Sequence, residues 1–157
     1  VPLEVIRAAG SGFYCGPGGF FRPHEAIRIG RNVFIGSCAH IAAPCDIRDD
    51  VMLASYVAVV GGDHRFDEVG VLLRLGGRGN MPLVVIEEDA WVGHGAILLA
   101  GTRIGRGAIV AAGSVVTSEV PPCEIWGGIP ARCLKPRFAA ESDMQRHLAY
   151  LVTRYGC

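Results

Sequence analysis

The chain has 157 residues, enough for one hydrophobic core and too few for two, so a single domain with at most a terminal appendage is expected. Fifteen Lys and Arg balance fifteen Asp and Glu, which leaves no bulk positive field to draw nucleic acid or an anionic membrane. No run of about eighteen apolar residues exists to span a bilayer. The Val1 start lacks the charged, apolar and small-residue succession of a secretory signal. The six cysteines form no Cys-x-x-Cys pair or zinc-type cluster, so reduced thiols in a soluble, cytoplasmic protein are expected.

Residues 1–26 fit the six-residue period described next poorly, and Gly16-Pro17-Gly18-Gly19 reads as a loop, so this stretch is expected to be an N-terminal cap before the coils begin. From Ile29 a six-residue period begins: Ile29, Ile35, Ile41, Ile47, Leu53 and Val59. It resumes as Ile86, Val92, Leu98, Ile104, Val110 and Val116. Four residues after each anchor the side chain is small or β-branched (Val33, Ala39, Cys45, Val51, Val57, Ala90, Ala96, Thr102, Ala108, Ser114, Val120). Asp63 breaks the rule where the first block ends. Gly or Ala often follows the anchor, as at Gly30, Gly36, Gly93 and Gly105, where a tight corner is wanted.

Six is neither a helix nor a hairpin period. The physical solution is an all-β triangular prism in which one hexad makes one face and three make a coil. Residues eighteen apart then stack at the strand spacing of about 4.8 Å. Cys45, on a small position, is expected to act as a small hydrophobe without chemistry.

Between the two blocks, residues 61–82 must leave the prism as an excursion loop. It opens with Gly61-Gly62-Asp63-His64-Arg65-Phe66-Asp67-Glu68 and closes with Gly76-Gly77-Arg78-Gly79-Asn80-Met81-Pro82. A loop inserted on a rigid scaffold is a favoured place for a site. The coils are expected over 27–137, with Pro136 stopping them. Over 138–157 the spacing of Met144, Leu148, Leu151, Val152 and Tyr155 predicts a short amphipathic helix from Glu141, with Ser142 a candidate cap.

The hexads resemble the hexapeptide-repeat acyltransferases. So does the segment Ala111-Ala112-Gly113-Ser114-Val115-Val116-Thr117 through Val120-Pro121-Pro122, followed by Gly128-Ile129-Pro130-Ala131-Arg132. The likeness covers about residues 27 to 137 and points to the branch that acetylates sugars and other small acceptors. Period alone gives no handedness; the resemblance implies a left-handed parallel β-helix and a homotrimer with the active site between subunits.

It also implies acetyl-CoA as co-substrate and a small acceptor, with a sugar hydroxyl foremost. His64 resembles the family's catalytic histidine, the general base that takes the acceptor's proton as it attacks the thioester. Asp63 or Asp67 is a candidate to orient the imidazole. Trp91, before Val92-Gly93, matches a Trp-x-Gly element that would wall the acceptor or the pantetheine arm. His94, Ala112 and Thr117 with Ser118 match positions along the pantetheine, and Arg132 and Lys135 the basic pair that meets the coenzyme's phosphates. Ser118 stands where related enzymes often carry Lys, so Arg137 is a candidate to take over that charge.

Two other readings use the same architecture. A zinc-dependent hydratase would need three converging ligands. His24, His40, His94 and His147 show no such spacing around His64, so no metal is expected. A non-catalytic scaffold would have no use for His64, Trp91 and the basic closing segment.

Overall fold

The computed structural model describes residues 8–22 and 27–156. An aliphatic anchor flanked by outward-pointing neighbours can leave water only by turning into a prism, and each hexad accordingly forms a strand of two or three residues. Successive strands lie on three faces in rotation: Ile27–Ile29, Phe34–Ile35, His40–Ile41, Cys45–Ile47, Met52–Leu53 and Ala58–Val60. After the excursion come Val84–Ile86, Trp91–Val92, Ile97–Leu99, Arg103–Ile104, Ile109–Val110 and Val115–Val116. Each face is a sheet of parallel strands.

Ile29 stacks on Ile47, Ile35 on Leu53 and Ile41 on Val59; beyond the loop Ile86 stacks on Ile104, Val92 on Val110 and Leu98 on Val116. Ile47 pairs with Ile86, 39 positions on rather than 18, so the excursion leaves no gap in the ladder. All twelve anchors and all eleven small positions are at most 4% exposed. The two hydroxyls among them are satisfied locally: Thr102 Oγ1 donates to the Leu99 carbonyl and Ser114 Oγ to that of Ala111, each at 2.7 Å. Burial, helped by the neighbouring Asp46, pushes the Cys45 thiol up to about 12 and leaves it inert.

The corners are built on a rule that repeats three residues after the anchor. Asn32, Cys38, Asp50, Tyr56 and Asp89 all take a left-handed φ between 53° and 63°, and Gly95, Gly107 and Gly113 do the same at equivalent places. Ladder bonds continue through these corners (Asp50 N–H to Arg31 O, 2.8 Å; Tyr56 N–H to Ser37 O, 2.9 Å), holding side-chain-bearing residues in a conformation that costs about 1–2 kcal/mol each. The glycine after the anchor has a different reason. A Cβ on Gly36 would lie 2.4 Å from the Ser55 amide nitrogen, and one on Gly93 2.6 Å from that of Ala112.

The N-terminal expectation is corrected by the register. Strands Ala8–Ala9, Tyr14–Cys15 and Phe20–Phe21 pair in parallel with the strands containing Ile29, Ile35 and Ile41, and form a first coil rather than a cap. The residues in anchor register, Ala9, Cys15 and Phe21, keep the six-residue step but pair 20 positions on instead of 18, so a two-residue insertion shifts the frame; burial rises along them from exposed Ala9 to buried Phe21. None of the three is Leu, Ile or Val, which hid the repeat. Residues 1–7 and 23–26, including His24, lie outside the described residues.

At the other end the coils stop before residue 137. Val120 bridges in parallel to Ile104, and Glu124–Gly128 adds in parallel to Ile109–Val110. The chain then reverses as an antiparallel strand, Ala131–Pro136, with the Gly-Ile-Pro-Ala element as the turn between them.

The helix forms at Glu141–Tyr155, where the spacing places it, but Ala140 rather than Ser142 occupies its N-cap and no side chain caps it. Ser142 lies one residue inside, where a hydroxyl cannot reach back to the first amides; Glu141 and Asp143 supply negative charge to that turn instead. The helix buries Leu151 and is tied to the prism at its middle and at its C-terminal end. His147 Nε2 lies 2.9 Å from Asp89 Oδ2, and the Tyr155 hydroxyl donates to Asp50. Burial alone would raise the Asp50 carboxyl; hydrogen bonds from Tyr155, Asn32 and Arg154 hold it below the ordinary carboxylate range. Among the described residues no helix is long and apolar enough to cross a membrane.

Because the Gly36 contact is with backbone, no neighbouring side chain can swing aside. Gly36→Ala is expected to destabilise the fold by about 1–3 kcal/mol, read as a lower urea midpoint with unchanged slope.

Candidate active site

The chain leaves the third face after Val60 through Gly62, whose φ of 78° and 2.7 Å clearance between a hypothetical Cβ and Met81 Sδ admit no side chain. The two arms of the loop then run antiparallel. His64 bridges Arg78, the Arg65 amide donates to Gly77 O at 3.0 Å, and the Gly79 amide donates to Asp63 O at 2.9 Å. Arg78 Nη1 closes the base of this ladder by donating to the Gly62 carbonyl at 2.6 Å. His64 is thus held through its backbone while its ring stays exposed. Farther out, a 3₁₀ turn at Leu73–Leu75 caps the arm.

A cleft of about 400 Å³ opens where this loop meets the prism. Residues 60–67, Asn80 and Pro82 line one side, and Leu99 with Ala100 the prism edge. The three candidate catalytic residues, His64, Asp63 and Asp67, therefore share one cavity. Among the described residues neither carboxylate hydrogen-bonds the imidazole; the bond that Asp63 does make uses its backbone carbonyl.

The residues matched to the coenzyme fall into three groups. Thr117 and Ser118 follow Val115–Val116 on the third face, one coil on from Leu99 and Ala100, and do not themselves line the His64 cleft. Trp91 lies on the second face between Met52 and Ile109 with its side chain outward; Gly93, His94 and Ala112 turn the next corner. The His94 ring packs on Tyr56 at 5.3 Å, and its carbonyl accepts from the Gly113 amide. Arg132 and Lys135 are exposed on the final strand, with Arg132 Nη1 bonded to its own neighbour's carbonyl, Ala131 O. Within one chain, His64 and Trp91 stand on different faces.

Arg137 does not fit the role of substitute cation. Its Nη1 donates to Asp89 Oδ2 at 2.6 Å and to Gly107 O at 3.0 Å, which makes it a strut between the hairpin, the prism and the helix. The other histidines occupy separate elements: His40 packs on Phe20 on the third face, and His147 is on the helix. Among the described residues no group of three or more His, Cys, Asp or Glu is placed to hold a metal ion.

Sequence reasoning missed the cleft residues Phe66, Asn80, Leu99 and Ala100, and the tie made by Arg78. The sole signal for Arg78 is that it interrupts Gly76-Gly77 and Gly79 in a segment otherwise built to turn.

Comparison with known proteins agrees with this architecture. Residues 83–118 match the family described as bacterial transferase hexapeptide (six repeats), and residues 26–59 the hexapeptide repeat of succinyl-transferase. A hexapeptide-repeat acetyltransferase of Vibrio cholerae, solved in complex with acetyl coenzyme A, superimposes with a TM-score of 0.72 at 28% identity, covering 87% of this chain and 74% of its own. A maltose O-acetyltransferase of Clostridium difficile gives 0.74 at 27% identity, covering 85% and 71%. A 2,3,4,5-tetrahydropyridine-2,6-dicarboxylate N-acetyltransferase of Staphylococcus aureus is 40% identical over 68 residues, 43% of this chain and 28% of that protein. The chain spans less than two fifths of the length of the curated relatives it matches.

A prism of hexads with one excursion loop and a hairpin closure, matched along both blocks, defines a class of protein. Both blocks match hexapeptide-repeat transferase families, and the fold is the left-handed parallel β-helix of the hexapeptide-repeat acetyltransferases.

Since the Arg78 guanidinium closes the base of the loop ladder, Arg78→Ala is expected to release it locally. Amide exchange at Arg65 and Gly79 should accelerate by about tenfold or more, with the core amide of Val92 unchanged.

Proposed function

We propose that the protein transfers an acetyl group from acetyl-CoA to a hydroxyl of a sugar or similar small acceptor, with His64 as general base, in a homotrimer whose site lies between subunits. One observation carries the reading: an exposed imidazole, clamped by backbone at the mouth of an open cleft, on the fold of known acetyltransferases. His64 accepts the acceptor's hydroxyl proton as the oxygen attacks the thioester carbonyl, and returns it to the departing thiolate as the carbonyl re-forms. Asp63 and Asp67 line the same cleft as His64.

Thr117 and Ser118 offer polar groups one coil on from the cleft's prism edge. Trp91, Gly93, His94 and Ala112, from the neighbouring chain, supply the facing wall, and Arg132 and Lys135 meet the coenzyme's phosphates. Sugar as the acceptor is supported by the likeness to a maltose O-acetyltransferase; acetyl-CoA is supported by the bound Vibrio cholerae relative. Dependence on that co-substrate puts the activity in the cytoplasm.

A shared site is supported by what one chain leaves uncovered. On the second face Tyr14, Phe34, Met52 and Trp91 form a continuous outward ladder, each 45–53% exposed. At the loop tip Val69, Leu72, Leu73 and Leu75 are each at least 60% exposed. Contiguous apolar surface of that kind marks an interaction face. Three-fold assembly that covers it would bring the His64 edge of one copy to the Trp91 face of the next.

His64→Ala is expected to lower kcat by about 100- to 10,000-fold while acetyl-CoA affinity, read by calorimetry, changes little; wild-type turnover would overturn the assignment. Light scattering should give a trimer mass. A monomer of full activity would exclude the shared site.

A further inference from the structure

The cleft also carries information on the acceptor's charge, an inference that rests on the acetyl-transfer reading of His64. Three charged side chains line it: Asp63, Arg65 and Asp67. Arg65 is neutralised by Glu68, with Nη2 3.1 Å from Oε2. Arg78, opposite His64 in the loop ladder, turns its guanidinium to the Gly62 carbonyl rather than to a carboxylate. Among the described residues the side chains of Asp63, Asp67 and Asn80 make no hydrogen bond or ion pair, and all three are exposed. Even with the Arg78 guanidinium at its base the cleft carries a net negative charge, and its free polar side chains are two carboxylates, an amide and the His64 imidazole.

The same wall carries an aromatic ring. Phe66 is 80% exposed, lines the cleft beside His64, and has no ring partner among the described residues. A bare aromatic face presents the negative side of its quadrupole, which attracts the polarised C–H face of a saturated ring, while carboxylates and an amide accept hydrogen bonds from hydroxyls around that ring's rim. An anionic acceptor would have to approach two like charges that no cation in the loop pairs with.

We propose that the acceptor is an uncharged polyhydroxylated ring stacked on Phe66, and that Asp63 and Asp67 reject acceptors bearing a carboxylate. A dicarboxylate, such as the acceptor in the name of the Staphylococcus aureus relative, is the wrong charge for this cleft.

The test compares neutral hexosides with their uronic acid counterparts as matched pairs, differing only by a hydroxymethyl or a carboxylate, at pH 7.5 with acetyl-CoA, following thiol release by the wild-type protein. In each pair that is acetylated, kcat/KM should favour the neutral sugar by about tenfold or more. Asp63→Asn/Asp67→Asn should narrow that ratio. Phe66→Ala should raise KM for the sugar about three- to tenfold, leaving KM for acetyl-CoA unmoved.

A uronic acid used as well as its neutral partner by the wild type overturns the charge rule, and that comparison needs no variant. Thioester hydrolysis that depends on His64, with acetyl-CoA bound and no sugar accepted, overturns the ring proposal and leaves acetyl transfer standing. Failure to bind acetyl-CoA removes both.

Discussion

Everything in this protein depends on the stacking of one aliphatic anchor per hexad, with a small side chain beside it, inside a narrow prism. Each anchor touches the anchor one coil above and below, so the interior is a set of ladders rather than a globular core. The backbone is correspondingly close-packed from coil to coil, which explains why Gly36 and Gly93 cannot gain even a methyl group. It also explains where variation is allowed. A face cannot lengthen without moving every anchor beyond it to the wrong side, whereas a corner can emit a long segment and resume in register, as it does between Val60 and Val84.

The three faces then diverge in chemistry. The first carries charge: Glu87 is 5% exposed, takes the Arg106 amide at 3.0 Å, and pairs with Arg48 and Arg103, while Glu88 pairs with Arg106. Each of these carboxylates beside the core is met by a guanidinium, which offsets the cost of burying its charge. Beside this face lies the chain's own helix, with Leu148 and Val152 lining a groove against Arg48, Glu87, Arg103 and Arg106. The second face presents the opposite surface, an apolar ladder from Tyr14 to Trp91 that continues through Ile109 to Ile125. One face is provisioned within the chain and the other is left for something outside it.

The candidate base is positioned by main chain, not by a side-chain relay. The ladder of Asp63, His64 and Arg65 against Gly77, Arg78 and Gly79 fixes the Cα of His64 and leaves the ring free to meet an acceptor. A histidine so placed differs from His147, whose Nε2 is engaged by Asp89 and whose ring packs on Phe138. Both residues are histidines in a polar context in the sequence. Of the two, His64 has the open face beside a cavity.

How much was legible in the sequence follows from what is periodic and what is not. Anchors from Ile29 to Val59 and from Ile86 to Val116, the small positions and the excursion at 61–82 are all sequence facts, because burial in a repeating prism imposes an unbroken period on the residue types. The first coil escaped notice because Ala9, Cys15 and Phe21 fill the anchor positions and a two-residue insertion shifts their frame, so only pairing revealed it. The hairpin of 124–136, the engagement of Arg137 with Asp89 and the place of Ser142 inside the helix were likewise invisible, since each depends on a contact between segments far apart in the chain or on the exact start of an element. The sequence by itself determined the prism and the loop that carries His64, because those are set by local chemistry repeated every six residues. Only the tertiary structure decided which side chains share the His64 cleft and that Trp91 lies on another face, because neighbours across a corner or a loop are related by folding in three dimensions and not by any spacing along the chain.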